Sequence, residues 1–193
     1  MSPKTSTGAA GALLLTPGAG ATRDHHTLVA LDEGLAPFPV GRYDFPYRRE
    51  GRKAPDRAPK AVAAVNEAAA ELVASTRIAA GRLVLGGRSY GGRMCSMAVA
   101  EGLPAAGLVL LSYPLHPPGK PENLRTEHFG QLDLPCLFVS GEKDPFGSPA
   151  DFADAVTAIP GPVTQVWLPG GHDPKNKDAE IVAAVRDWLA TLG

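Results

Sequence analysis

The sequence predicts an α/β domain in which a mostly parallel sheet of about six strands is covered by helices on both faces. Three observations support that expectation. Short apolar runs alternate with helix-like stretches along the chain, the pattern of strands joined by crossover helices. Most runs are continuously apolar rather than alternating, as strands covered on both faces require. At 193 residues the chain is long enough for one sizeable core and short for two.

The predicted strands are Gly11–Thr16, Val40–Phe45, Arg82–Gly86, Gly107–Ser112, Pro135–Ser140 and Val163–Leu168. Arg57–Ala80 is alanine-rich, lacks internal glycine, and reads as the clearest long helix. Asp24–Asp32, Ser89–Glu101 and Pro149–Ala158 read as shorter helices. In Lys177–Leu192 the residues Ile181, Val185, Trp188 and Leu189 recur at helical spacing, so the chain closes on an amphipathic helix. Residues 1–10 read as a mobile tail or an unresolved edge strand, and residues 11–193 as a single domain. The proline-rich pieces 37–59 and 114–121 are loops within that domain, and no connection is long enough for a cap domain.

Composition excludes several partners. A formal net charge of −1 supplies no electrostatic reason for nucleic acid or an anionic membrane to bind. Cys95 and Cys136 are the only cysteines and sit in apolar surroundings, so they read as packing residues rather than a disulfide framework or metal site. The run Leu13-Leu14-Leu15 is too short for a signal-peptide core or a membrane span, and the cytoplasm is the expected location.

The chemistry-bearing motif is Gly87-Arg88-Ser89-Tyr90-Gly91, set between the apolar run Leu83-Val84-Leu85 and a helix-like stretch. A serine at the end of a buried strand exposes its hydroxyl only through a sharp, strained turn. The residues two before and two after it must then be small. The plainer alternative is a glycine-rich turn whose serine merely caps the next helix. The rest of the chain weighs against that alternative. A serine nucleophile needs a base, and the base needs an acid to orient it. After Cys136–Ser140 comes Gly141-Glu142-Lys143-Asp144, and after Val166-Trp167-Leu168 comes Pro169-Gly170-Gly171-His172-Asp173. Ser89, Asp144 and His172 thus follow three strands in the order nucleophile, acid, base. Glu142 and Asp173 are the rival acids.

An oxyanion hole requires the backbone N–H of the residue after the nucleophile, Tyr90, and a second from the loop after the first strand. That loop is Thr16-Pro17-Gly18-Ala19-Gly20-Ala21. Ala19 is the positional choice, with Gly20 close behind. Gly18 and Gly20 let the loop approach substrate, and Tyr113 and His116, past the fourth strand, are expected on the pocket rim. Gly18-Ala19-Gly20 also suggests a dinucleotide turn, but Arg23 stands where the third glycine belongs, and no acidic residue ends the next strand at the usual offset in a matching context, Asp44 being the one acid to note there. His25, His26 and His128 lack metal-ligand spacing and are assigned to capping or packing. Arg48, Arg49, Arg52 and Lys53 form a basic cluster read as a solvated face. No cofactor or metal is expected.

The stretches Leu85–Arg93, Arg42–Tyr47, Ser112–Lys120 and Gly141–Gly147 together resemble the small α/β-hydrolases related to dienelactone hydrolase. More narrowly, they are similar to the branch containing the testis-expressed hydrolase-like protein and a subunit of the nonspecific-lethal histone acetyltransferase complex. The resemblance spans about Leu13 to Leu192. It implies a compact α/β-hydrolase fold with Ser89, Asp144 and His172 in the triad positions. Dienelactone hydrolase itself uses a cysteine nucleophile, so its lactone chemistry does not transfer to Ser89. The usual His-Gly opening of the oxyanion loop is Pro17-Gly18 here. Two functions follow as expectations: a carboxylesterase-like serine hydrolase acting on a small soluble ester, or an interaction protein that keeps the fold without turnover. The oligomeric state is left open.

Overall fold

The computed structural model describes residues 9–193. Six parallel strands form one sheet: β1 (Ala12–Thr16), β2 (Val40–Arg42), β3 (Leu83–Arg88), β4 (Gly107–Leu111), β5 (Cys136–Gly141) and β6 (Val163–Leu168). Their spatial order is β2-β1-β3-β4-β5-β6. The expected α/β-hydrolase architecture is therefore present, with every strand pair parallel. Of the predicted tail, residues 1–8 lie outside the described residues, and Ala9 and Ala10 belong to no helix or strand.

Helices cover both faces because the strands are apolar on both. α1 (His26–Gly34) and α6 (Asp178–Ala190) pack Leu28, Leu31, Ile181, Val185 and Trp188 against Leu13, Leu15, Val109 and Val139. On the opposite face α3 (Ala58–Thr76), α4 (Tyr90–Ala100) and α5 (Pro149–Ala155) pack Ala61, Val65, Met94, Cys95 and Phe152 against Leu14, Leu85, Leu108 and Phe138. Each large apolar side chain so buried contributes roughly 1.5–3 kcal/mol.

Several boundaries differ from the sequence expectation, three of them for reasons visible in the pairing and the backbone. β2 stops at Arg42 rather than Phe45 because its only partner, β1, ends at Thr16, and the last pairing bond is from Tyr43 N to Leu15 O at 3.0 Å. Phe45 leaves the sheet and is fully buried beside a one-turn helix, α2 (Pro46–Arg49), for which the sequence showed no period. α3 ends at Thr76, four residues early, where Arg77 adopts φ 57° and turns the chain back toward β3. β3 runs on to Arg88 because β4 offers partners through Arg88↔Leu111.

β1 connects to β2 on one side, while β3 and its successors extend on the other. The loops after β1 and β3 therefore diverge and leave a crevice at the strands' C-terminal ends, where open α/β sheets bind ligands.

His128 carries a stability consequence. Its Nε2 lies 2.7 Å from Ser96 Oγ. Burial, aided by the charge of Arg93, pushes its pKa down to about 4. The unfolded chain therefore takes up a proton near pH 6.5 that the folded protein refuses. This contribution is complete above pH 6.5 and is lost as pH falls toward 4. Urea unfolding at pH 7.5 and 4.5 is expected to show His128→Gln escaping roughly 2 kcal/mol of the acid destabilisation of the parent protein.

Candidate active site

Ser89 stands between β3 and α4 with φ 50° and ψ −116°, a conformation that L-residues rarely hold. The strand before it and the helix after it over-determine that geometry. Ser89 N donates to Leu111 O at 2.8 Å, and α4 packs its first turn against the end of β1. A Cβ on Gly91 would lie 2.5 Å from Pro17 O and 2.6 Å from Thr16 O, so only glycine permits this approach. Gly87, on the other side, is closed in by Thr16 in the same way.

The structure brings Ser89, His172 and Asp144 together. Ser89 Oγ is 2.9 Å from His172 Nε2. His172 Nδ1 is 2.8 Å from Asp144 Oδ2 and 3.0 Å from Oδ1. Asp144 is buried, and its Oδ1 also accepts the Phe146 N–H at 2.9 Å, so the carboxylate is held from two sides. The loops that carry the acid and the histidine are joined by bonds from Lys143 N to Gly170 O and from Glu142 N to Leu168 O, both 2.9 Å. Phe146 covers one face of the imidazole, with ring centroids 4.3 Å apart.

Neither rival acid reaches the ring. Glu142 is exposed. Asp173 turns away to Arg88 Nη2 at 3.1 Å, His25 at 3.7 Å and His26 at 3.5 Å. Arg88 also donates to His172 O at 2.8 Å, which ties the residue before Ser89 to the backbone of the histidine.

The loop after β1 lies over Ser89, with Gly18 packed near the Ser89 Cβ and the Arg88 side chain. Gly20 has φ 76°, and its N–H donates to Tyr47 Oη at 3.0 Å. Asp44, the acid of the dinucleotide alternative, instead accepts the Arg23 N–H at 2.7 Å and pins the far end of this loop. The Tyr90 N–H, at the first residue of α4, has no intrahelical acceptor. Ala19 and Tyr90 both line a pocket of about 310 Å³ with Ser89, Arg93, Pro114, Arg125 and Phe146.

Tyr113 and His116 do not line that pocket, a correction to the sequence expectation. Tyr113 is fully buried among Phe129 and Phe138, and its hydroxyl donates to Arg125 O at 2.8 Å. His116 is buried toward α5, with Nδ1 2.9 Å from Pro117 O and Nε2 3.5 Å from Asp151. The residue after a strand was assigned to the rim by position alone. Tyrosine at that point is large enough to fill the core instead, and Pro114 and Arg125 reach the pocket. Tyr47, Arg93, Arg125 and Phe146 reach the site from loops or helices with no local motif to mark them, and Arg88, a variable position of the serine motif at the end of β3, is marked only by its partners in space.

His25, His26 and Asp173 converge beside the site, with ligand-type atoms within 4.8 Å of one another. Sequence spacing concealed this group, since Asp173 arrives from the far end of the chain. Its members are engaged by protein partners. His25 Nδ1 accepts the Thr27 N–H at the start of α1, and His26 Nδ1 lies 2.7 Å from Asp178. Burial and the Arg88 charge lower the His25 pKa, whereas the hydrogen bond that His26 donates to Asp178 raises that of His26. Arg88 on Asp173 opposes a cation there. The basic cluster is partly neutralised as well: Arg52 pairs with Glu50 and Asp56, and Arg49 donates to Tyr43 Oη. Among the described residues no helix is long and apolar enough to cross a membrane.

Comparison with solved structures places the fold in context. A putative hydrolase of the alpha/beta superfamily from Xanthomonas campestris pv. campestris superposes with a TM-score of 0.69 at 20% identity, covering 94% of this chain and 99% of that one. Dienelactone hydrolase from Anabaena variabilis gives 0.74 at 18% identity, with 95% and 87% covered. A monoacylglycerol lipase from Paleococcus ferrophilus gives 0.72 at 15%, with 96% and 97% covered. At these identities the likeness is one of fold. No curated protein matches the chain in sequence. The family model described as an alpha/beta hydrolase domain matches residues 9–185, nearly the full chain, and the chain belongs to that family.

Proposed function

We propose that the protein is a carboxylesterase-like serine hydrolase that cleaves an ester or related acyl bond of a small substrate through an acyl-enzyme on Ser89. The observation that carries this reading is the unbroken relay from Ser89 Oγ through His172 to the buried Asp144. Asp144 holds Nδ1–H of the imidazole, which leaves Nε2 as an acceptor facing the serine hydroxyl. As Oγ attacks the carbonyl carbon, its proton passes to Nε2 and the carbonyl oxygen becomes an oxyanion. His172 then returns the proton to the departing alkoxide. Water, deprotonated by the same Nε2, attacks the acyl carbon and releases the acid and the free serine.

The Tyr90 and Ala19 N–H groups are assigned to the oxyanion. Gly20 is less suitable because Tyr47 already takes its N–H. Tyr47→Phe removes that acceptor and loosens the loop carrying Ala19. The expected result is a roughly threefold to tenfold fall in kcat on 4-nitrophenyl acetate, with KM little changed.

Dienelactone hydrolase and a lipase among the structural neighbours are consistent with acyl chemistry. The narrower kinship with the testis-expressed and nonspecific-lethal branch rests on the motifs quoted above. Two free, buried cysteines fit a reducing compartment such as the cytoplasm. A purely interacting role has no use for an assembled relay. Incubation with a fluorophosphonate, read by intact mass, tests the reading: one adduct is expected on the parent protein and none on Ser89→Ala. An unlabelled parent protein overturns it.

A further inference from the structure

We infer that the pocket beside Ser89 is built for an ester that carries a second, anionic group, a carboxylate, which Arg93 and Arg125 bind. This inference rests on the serine-hydrolase reading and specifies its substrate class.

Both arginines line the same pocket as Ser89, Ala19 and Tyr90. The other arginines around the crevice have partners. Arg42 pairs with Asp24 and Asp32, Arg52 with Glu50 and Asp56, and Arg88 with Asp173. Among the described residues neither Arg93 nor Arg125 forms an ion pair or donates a side-chain hydrogen bond, and Arg93 Nε is buried with no partner. Burial first, and then the positive charge of Arg93, lowers the pKa of Arg125. Two guanidinium groups thus sit close enough to repel, partly desolvated, with Glu127 offsetting their charge only from a distance and no acid paired to either among the described residues.

Position adds to the cost. Arg93 lies in the first turn of α4, where the helix's own positive end disfavours a cation. A folded protein tolerates such an arrangement at a site whose occupant supplies the missing charge. Arg125 is held in place by its backbone: its N donates to Leu115 O at 2.8 Å, and its O accepts the hydroxyl of buried Tyr113 at 2.8 Å. The chain therefore presents two planar donors on the wall of the pocket that holds Ser89, and guanidinium groups match carboxylate oxygens in geometry and charge.

The test compares anionic and neutral esters that differ little in shape. Mono-4-nitrophenyl adipate is set against 4-nitrophenyl hexanoate, and 4-acetoxybenzoate against its methyl ester, so that the carboxylate lies on the acyl side in one pair and on the leaving group in the other. In at least one pair kcat/KM is expected to favour the anionic ester tenfold or more. That preference should shrink in 0.5 M NaCl and fall toward one in Arg93→Met/Arg125→Met. A preference absent from both pairs, or unchanged in the double variant, overturns the inference.

Calorimetric titration with adipate supplies a readout without turnover. Binding to the parent protein that is lost in a double variant of parent-like far-UV spectrum and cooperative melt supports the site. No binding to the parent protein overturns it. Fluorophosphonate labelling separates the two proposals. A protein that labels but ignores the carboxylate keeps the hydrolase reading and loses this one. A protein that binds adipate but does not label keeps the carboxylate site and loses the hydrolase reading, and with it the ester.

Discussion

Ser89→Ala is expected to lower kcat for 4-nitrophenyl acetate by about 10⁴-fold or more, to near the level of the uncatalysed reaction aided only by oxyanion contacts. The relay predicts more than the loss of one hydroxyl. Asp144→Asn preserves the shape of the acid, but the amide can turn its NH₂ toward Nδ1. The imidazole then carries its proton on Nε2 and cannot accept one from Ser89. A fall of similar order, about 10⁴-fold, is expected. Because the three side chains act as a unit, the Ser89→Ala/Asp144→Asn double variant should be little worse than Ser89→Ala. Steady-state rates of the four proteins form a cycle that checks this. Multiplicative losses would mean that the aspartate acts independently of the serine and would contradict the relay.

Gly91→Ala is expected to destabilise the protein by on the order of 4 kcal/mol, a large part of a typical domain's stability. The added Cβ would stand 2.5 Å from Pro17 O and 2.6 Å from Thr16 O, with backbone atoms that cannot rotate aside. Either α4 moves off β1 or the turn at Ser89 opens, and both separate the nucleophile from its histidine. Gly20→Ala provides the contrast. Its φ of 76° is unfavourable for alanine, but nothing lies within 4 Å of the new methyl group, so a loss of about 1 kcal/mol is expected. Denaturant midpoints for the two variants give the comparison directly. A Gly91→Ala protein as stable as Gly20→Ala would mean that the close approach of α4 to β1 is not required.

Much of this molecule is legible in its sequence because local patterning and tertiary structure agree. β6 was placed at Val163–Leu168, and that is where it lies. The other strands shift by a residue or two, except β2, whose three-residue loss reflects the length of its neighbour rather than its own composition. α2 is not legible in the sequence because one turn has no periodicity to detect, and Phe45 before it and Tyr47 within it are explained only by their packing against Tyr90.

The site divides along the same line. Ser89, Asp144 and His172 are visible in the sequence because each must follow a strand, and strand ends are marked by an apolar run giving way to glycine. Chain order then makes their convergence an expectation, and the sheet order β3-β4-β5-β6 brings their loops to one edge. Residues that act across the crevice have no such marker. Tyr47 reaches Gly20, Arg88 reaches His172, and Arg125 joins Arg93 across separations of 27, 84 and 32 residues, with nothing in the local sequence to announce the meeting. Tyr113 shows the opposite failure, a position that looks exposed by rule and is buried because an aromatic ring fills the space. The sequence by itself determined the architecture and marked Ser89, Asp144 and His172 as candidates in chain order, since these follow from periodicity and strand ends. Tertiary structure alone decided that the Gly20 N–H is taken by Tyr47 and that, among the described residues, Arg93 and Arg125 have no ion-pair partner, because both depend on what lies within about 3 Å in space rather than on neighbours along the chain.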